Sequence, residues 1–396
     1  MSTRQVSTAG TLNVESAVRD RYERSARGGE AGANCSAKYD PRYLEAIPEV
    51  VLERDFGCGD PSRYVREGDT VLDLGSGGGK ICFIASQIVG ETGSIIGVDM
   101  NEEMLALARG AAPEVARRTG FANVVFRRGR IQDLRLDLDR LHAWLASNPV
   151  LGANELHALD AEADRIRREH PLVPDGSIDV VISNCVLNLV RDEDKSAMIR
   201  EIFRVLKPGG RIAISDIVSD RDVPQDLKQD PELWSGCVSG AFREDRFLHE
   251  LERAGFHGIA IDEWKAQPSR VVSGIEFRAV VVTAWKGKAG ACLDEDHSLI
   301  YRGPWRKVED DDGHMFRRGE RTAVCERCFH LLTSEPYEGA FVPVEPRMAD
   351  RPEATRPCDR ARPARSEERE TRGAACDRQA GEGAADGRPG ACCSGA

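Results

Sequence analysis

The chain reads Val71-Leu-Asp73-Leu-Gly75-Ser-Gly77-Gly-Gly79-Lys80, an apolar run that breaks into glycines and resumes as a helical pattern through Ile81, Ile84, Ala85 and Ile88. A strand that turns straight into a helix across Gly75, Gly77 and Gly79 leaves backbone bare of side chains, where a ligand can come close. The next strand run, 94–99, ends in Asp99, twenty positions beyond Gly79. From there a carboxylate can reach ribose hydroxyls. Further strand runs at 123–126, 178–183 and 211–216 alternate with helical stretches around 104–108 and 197–206. Strand alternating with helix predicts an α/β fold built on a parallel, doubly wound sheet with helices on both faces.

Outside this core, Val14, Val18 and Tyr22 recur at helical spacing behind Asn13, a ready N-cap, so residues 1–40 read as an N-terminal helical cap segment. The main domain spans 41–287. An insertion at about 136–170, with apolar positions at Leu138, Leu141, Leu145, Leu156, Leu159 and Ile166, predicts one or two helices serving as a lid or a surface addition. Runs at 255–264 and 275–285 are expected to close the sheet with an antiparallel edge. Residues 288–345 read as a small β-rich module with an acidic turn at 310–313. Beyond it, 346–396 is rich in Arg, Glu, Ala, Gly and Pro, too poor in large apolar residues to offset ordering entropy, and is expected to be a disordered tail.

Composition narrows the function. A net charge of -11 without a basic stripe argues against a nucleic-acid binder, which needs clustered Lys and Arg. The first ten residues lack an apolar signal core, and no run approaches the roughly 18 apolar residues of a membrane span. A soluble, cytoplasmic protein with no membrane partner is expected. In a reducing compartment the 12 cysteines are not expected to form structural disulfides.

Four of them have neighbours that packing does not require: Asn34-Cys35, Gly57-Cys58-Gly59, Asn184-Cys185-Val-Leu-Asn188 and Gly236-Cys237. Cys185 follows a core strand and should stand at the carboxyl edge of the sheet, where ligands of open α/β folds bind. Three converging thiolates would suit trigonal As(III), whose lone pair could attack a sulfonium methyl without a general base. Zinc and plain burial are the competing readings. Cys82 reads as a core residue or a disulfide exchanger, and Cys325-x-x-Cys328 as half of a zinc knuckle. Cys292 reads as inert, and Cys392-Cys393 as either incidental or a tail that captures arsenic.

For the cofactor, a dinucleotide enzyme uses Gly-x-Gly-x-x-Gly, and a purely structural turn needs no ligand at all. The Gly-x-Gly-x-Gly loop here, behind an acidic strand residue, resembles that of the class I, Rossmann-like S-adenosylmethionine-dependent methyltransferases. That resemblance, which extends to Lys207-Pro-Gly-Gly210, implies that the loop lies near the amino-acid end of the cofactor, Asp99 holds the ribose and Ile131-Gln132-Asp133 lines the adenine. The cofactor-binding candidates are Asp73, Gly75, Gly77, Gly79, Asp99, Met100, Ile131, Gln132 and Asn184. Tyr22 joins them if it closes over the cofactor rather than packing its helix down.

Tyr39-Asp-Pro, Phe56-Gly-Cys58-Gly, Ser183-Asn-Cys185-Val-Leu-Asn-Leu189 and Trp234-Ser-Gly-Cys237 resemble the successive signatures of arsenite methyltransferases. So do Phe277-Arg-Ala-Val-Val-Val, Ile300-Tyr301-Arg-Gly and the terminal Cys392-Cys393. The resemblance covers roughly 12–310 and the last few residues. It implies that Cys58, Cys185 and Cys237 bind As(III) and that Cys35 joins a disulfide relay reducing arsenic between methylations. It also implies that thioredoxin or glutathione restores the enzyme, and that arsenite or methylated trivalent arsenicals are the substrates. The insertion is longer than the family pattern. Competing functions are methylation of an organic nucleophile, with the cysteines merely packed, and metalloid sequestration beside a vestigial cofactor site.

Overall fold

The computed structural model describes residues 12–27, 38–54, 56–287, 293–295, 297–311, 313–345 and 356–357. The chain divides into two compact units, Met1–Lys286 and Gly287–Ala396. Cys35, Cys292, Cys392 and Cys393 lie outside the described residues, as does the expected disordered tail apart from residues 356–357.

The first unit opens with α1 (Val14–Ala26), capped by the Asn13 side chain on the Ser16 N–H, and two short helices, α2 (Pro41–Leu44) and α3 (Glu49–Leu52). Then follow β1 (Thr70–Leu74), α4 (Lys80–Val89), β2 (Ser94–Asp99), α5 (Glu102–Thr119), β3 (Val124–Arg128), α6 (Leu138–Ser147), α7 (Ala153–Glu169) and β4 (Ile178–Asn184). The unit continues through α8 (Asp192–Val205), β5 (Leu206–Ser219), α9 (Gln225–Lys228), α10 (Pro231–Ser235), β6 (Phe242–Arg243) and α11 (Glu244–Ala254). It ends with β7 (Phe256–Trp264), β8 (Arg270–Val272) and β9 (Ile275–Lys286).

The sheet order is β3-β2-β1-β4-β5-β9-β7, with β1 to β5 parallel and β9 antiparallel to both β5 and β7. The parallel core and the antiparallel edge are as the sequence predicts. Because strand side chains alternate, Leu72 and Leu74 enter one apolar layer, with Met198, Ile202 and Phe247. Val71 enters the other, with Phe83, Ile84 and Leu105. Each face is thereby covered by helices.

The chain leaves β1 toward β2 on one side and returns through β4 on the other, so the order reverses between β1 and β4. That is the switch point where open α/β sheets bind ligands, beyond the carboxyl ends of the strands. The glycine loop follows β1 and Cys185 follows β4.

Three local expectations are refined. The acids Asp192, Glu193 and Asp194 occupy the first turn of α8, where the helix dipole favours them, so that helix starts earlier than its apolar pattern. Lys207-Pro-Gly-Gly210 lies inside β5 rather than before it. The insertion forms two helices joined through Leu136, Ala163 and Ile166, with Arg167 bound to Asp133.

In the second unit, β10 (Leu293–Asp294) pairs with β16 (Arg356–Pro357), β12 (Lys307–Glu309) pairs with β13 (Met315–Arg317), and β11 (Ser298–Tyr301) lies between β14 (Arg321–Ala323) and β15 (Phe341–Val344). The sequence reading missed a helix, α12 (Glu326–Leu332), whose N-cap is Cys325: its sulfur accepts the Cys328 N–H at 3.4 Å. Both cysteines are buried in the small core with Leu299, Phe316 and Phe329.

Candidate active site

A cleft opens at the switch point. No residue of α6 or α7 lines it.

Asp99, Met100, Ile131 and Gln132 line the cleft from the β2 and β3 side. Asp99 accepts the N–H groups of Gly77 and Asn101, each at 2.8 Å, and burial raises its pKa. It thus closes the glycine loop as well as facing the cleft. Gly75, Gly77 and Gly79 all hold left-handed backbone, and a Cβ on Gly75 would come within 2.4 Å of Val186. Asp73 lines the cleft from β1, where burial pushes its carboxyl up to about 7. The Cys82 thiol donates to it at 3.1 Å, so Cys82 is a core residue with a polar task the sequence did not reveal.

Two further residues escaped the sequence reading. Ser76 Oγ and Asn101 Nδ2 are buried without a protein partner, and both residues line the cleft. Orphaned polar atoms at a ligand cleft are what a polar, hydroxyl-bearing cofactor would satisfy. Asn101 was findable, since Asn followed by Glu102 and Glu103 is a helix-start signal, and its Oδ1 does cap the Met104 N–H.

Cys185 lines the cleft from the β4 side. Cys58 and Cys185 are joined as a disulfide, with Cα atoms 6.0 Å apart and a sequence separation of 127. The Cys58 segment hangs on Asn184, whose Oδ1 accepts the N–H groups of Cys58 at 2.9 Å and Gly59 at 3.2 Å. Its Nδ2 donates to the Gly59 carbonyl at 2.9 Å and the Tyr39 hydroxyl at 3.1 Å. The amide is therefore committed to the cysteine loop, although Asn184 also lines the cleft. The flanking glycine is required, because a Cβ on Gly59 would lie 2.2 Å from Ser215 Oγ.

Cys237 follows α10 in a turn closed by its N–H on the Trp234 carbonyl, and its thiol donates to the Cys185 carbonyl at 2.8 Å. Cys185 and Cys237 both have left-handed backbone, φ 59° and 61°. All three cysteines are buried in one apolar cluster with Ile217, Val238 and Phe277. Tyr22, packed edge-on against Phe56 with centroids 5.0 Å apart, borders both the cleft and a smaller pocket that reaches Cys237. Burial, and then the Cys237 thiol facing it, raise the Tyr22 phenol well above its ordinary value.

The sequence reading also missed Asp216. Its carboxylate and the Cys58 and Cys185 sulfurs lie within 4.8 Å of one another, and among the described residues no other such group of ligand atoms occurs. It accepts N–H groups from Leu187 at 2.9 Å, Ile217 at 2.8 Å and the Asn188 side chain at 2.8 Å. Burial raises it to about 6. Its one sequence signal is its place at the end of the last predicted parallel strand.

A family model described as a methyltransferase domain matches residues 66–168 and 156–255, and one described as a domain of unknown function matches 288–376. The chain is 33% identical to the arsenite methyltransferase of Aquipseudomonas alcaligenes over 79% of this chain and 84% of that protein. It is 35% identical to that of Mus musculus over 78% and 77%. Among solved structures, an arsenic(III) S-adenosylmethionine methyltransferase from Chlamydomonas reinhardtii matches with a TM-score of 0.52 and 27% identity, covering 80% of this chain and 97% of that one.

Proposed function

Because this chain belongs to the arsenite methyltransferase family of S-adenosylmethionine-dependent enzymes, we propose that it methylates As(III) held by the thiolates of Cys58, Cys185 and Cys237. The observation that carries this reading is that three cysteines far apart in sequence meet in one apolar cluster opening onto the cleft of the glycine loop. Three sulfurs match the valence of As(III), and its remaining lone pair is the nucleophile, so no general base is needed. The arsenic–carbon bond forms as the carbon–sulfur bond breaks, and the bonding pair leaves with the thioether of S-adenosylhomocysteine. The protein's task is to align arsenic, carbon and sulfur and to exclude water, which proximity and burial serve.

The residues fit the cofactor. Asp73 would meet its ammonium group, Asp99 its ribose, Met100, Ile131 and Gln132 its adenine side, and Ser76 and Asn101 carry polar atoms left for a ligand. S-adenosylmethionine supplies the methyl group on an electron-poor sulfonium.

With Cys58 and Cys185 joined, the arsenic ligands are not available until two electrons and two protons open the bond. Thioredoxin or glutathione is the proposed donor, being oxidised to its own disulfide in exchange, and Cys35 is the proposed relay cysteine. Such a cycle suits the reducing cytoplasm, where we place the enzyme. Among the described residues no helix is long and apolar enough to cross a membrane.

The test is incubation of the purified protein with arsenite, S-adenosylmethionine and a thiol, followed by chromatography with arsenic-specific mass detection. Methylated arsenic is expected from wild type and none from the triple variant Cys58→Ser, Cys185→Ser, Cys237→Ser. A folded, cofactor-binding wild type that yields no methylated arsenic would refute the proposal.

A further inference from the structure

We infer that Asp216 stabilises the positive charge that arrives on arsenic during methyl transfer, an inference that rests on the reading of Cys58, Cys185 and Cys237 as the arsenic ligands. Arsenic bound by three thiolates is neutral. When its lone pair takes the methyl group, the sulfonium becomes a neutral thioether and the four-coordinate arsenic carries the unit of positive charge. The reaction therefore moves a cation out of the cofactor end of the cleft and into the cysteine cluster.

That cluster is poorly suited to a bare cation, since Ile217, Val238, Ala241 and Phe277 surround the thiols. Asp216 is the exception. It is 2% exposed, and its carboxylate stands within 4.8 Å of both the Cys58 and Cys185 sulfurs. Asp216 does not line the cofactor cleft but lies against the two sulfurs, so arsenic bonded to them would sit nearer the carboxylate than the cofactor's sulfur would. The attraction is thus stronger after transfer than before, which is the condition for accelerating the step rather than merely tightening binding.

The carboxylate is also fixed in place. Its three N–H donors come from the turn after Cys185 and from β5. Asn188, fully buried, extends the hold by donating to the Ile217 carbonyl at 2.6 Å and the Cys237 carbonyl at 3.4 Å while accepting the Phe242 N–H at 3.3 Å. The negative charge is therefore held in register with the segments of Cys185 and Cys237, and nothing must reorganise as charge develops. The neighbouring cation, Lys195, is already bound to Asp192 at 2.6 Å and to the Gly240 carbonyl at 2.6 Å.

A purely structural role does not account for the charge. Capping three N–H donors needs only lone pairs, which a neutral side chain or a water supplies without the cost of burying an ionised carboxylate. Leaving the charge in an apolar cluster makes sense where a positive charge is to arrive.

The experiment compares full-length wild type with Asp216→Asn and Asp216→Ser, the second leaving room for a water on the three donors. Arsenite and S-adenosylhomocysteine affinities are measured by calorimetry on reduced protein, and methyl transfer is followed in a single turnover on arsenite-loaded enzyme. Both variants are expected to bind arsenite within about threefold of wild type and to transfer methyl about 10²–10³-fold more slowly, the range for removing one preorganised electrostatic partner. An unchanged single-turnover rate overturns the inference, and so does a rate loss matched by lost arsenite affinity, which would make Asp216 only a positioning residue. If neither variant folds, Asp216→Glu, which keeps the charge but moves it by one methylene, is read the same way: transfer at least about tenfold slower with arsenite binding held within about threefold is expected, and an unchanged rate overturns the inference. A wild type that methylates arsenite while the variants match its rate sinks this inference alone; one that binds no arsenite sinks the proposed function.

Discussion

The Cys237 thiol donates to the Cys185 carbonyl across 2.8 Å, and the two residues share the left-handed backbone conformation. Among the described non-glycine residues only Ser273 joins them there. A side chain in this region costs free energy that glycine would avoid, and such strain gathers where the surrounding structure enforces a functional geometry. Here the enforcing contacts are the Cys185 N–H on the Ser215 carbonyl and the closed turn after α10. The strain aims both sulfurs into one cluster.

Backbone strain at Cys237 predicts an inverted preference between small substitutes. Cys237→Gly should be more stable than Cys237→Ala by about 1 kcal/mol, because alanine keeps the Cβ that left-handed backbone disfavours. Urea unfolding of the reduced variants checks this, and an alanine variant as stable as the glycine one would remove strain from the account.

The Cys58–Cys185 bond spans 127 positions, so opening it frees a long loop in the unfolded chain and should lower stability by about 3–5 kcal/mol. Arsenite bridging the same sulfurs would restore the crosslink. The expected order of unfolding temperatures is oxidised protein first, then reduced protein with arsenite, then reduced protein alone. Arsenite should leave the oxidised form unshifted, and calorimetry with and without reductant reads all four states.

Contact between Gly59 and Ser215 makes a second mutational test. Gly59→Ala drives a Cβ to within 2.2 Å of Ser215 Oγ and displaces the Cys58 segment. It should cost about 1–3 kcal/mol, as overpacking does, and weaken arsenite binding at least about tenfold. In a Ser215→Gly background the same change should cost less, giving a coupling energy of about 1 kcal/mol in a double-mutant cycle. Additive effects would place the damage elsewhere.

The parts of this molecule legible in its sequence are those written in local pattern. Apolar runs of strand length, glycines between strand and helix, and cysteines with glycine or asparagine neighbours located β1, β4, the cofactor loop and the cysteine segments. Illegible were the partnerships set by register. Asn184 pairs with Ser215 across β4 and β5, which brings Asp216 level with the turn after Cys185, and no spacing within either strand reveals that neighbour. For the same reason the hold of the Asn184 amide on Cys58 and Gly59 could not be read from the sequence. Helix α12 was missed because its seven residues are too few for helical periodicity to separate from a short apolar strand.

Asp73 makes cofactor binding sensitive to pH, with a sign that follows from its surroundings. Burial first, and then the charge of Asp99, raise its carboxyl to about 7 against the opposing hydrogen bond from Cys82. In the empty cleft the group is therefore about half protonated at pH 7. A cofactor ammonium group set against it favours the ionised form, so binding must expel that proton. Binding of S-adenosylhomocysteine should release close to one proton at pH 6 and almost none at pH 8, and its affinity should fall as pH drops below 7. Calorimetry in two buffers of different ionisation enthalpy counts the protons directly. Asp73→Asn should bind more weakly and lose both the release and the pH dependence. Proton release that persists in Asp73→Asn would show that another group faces the ammonium.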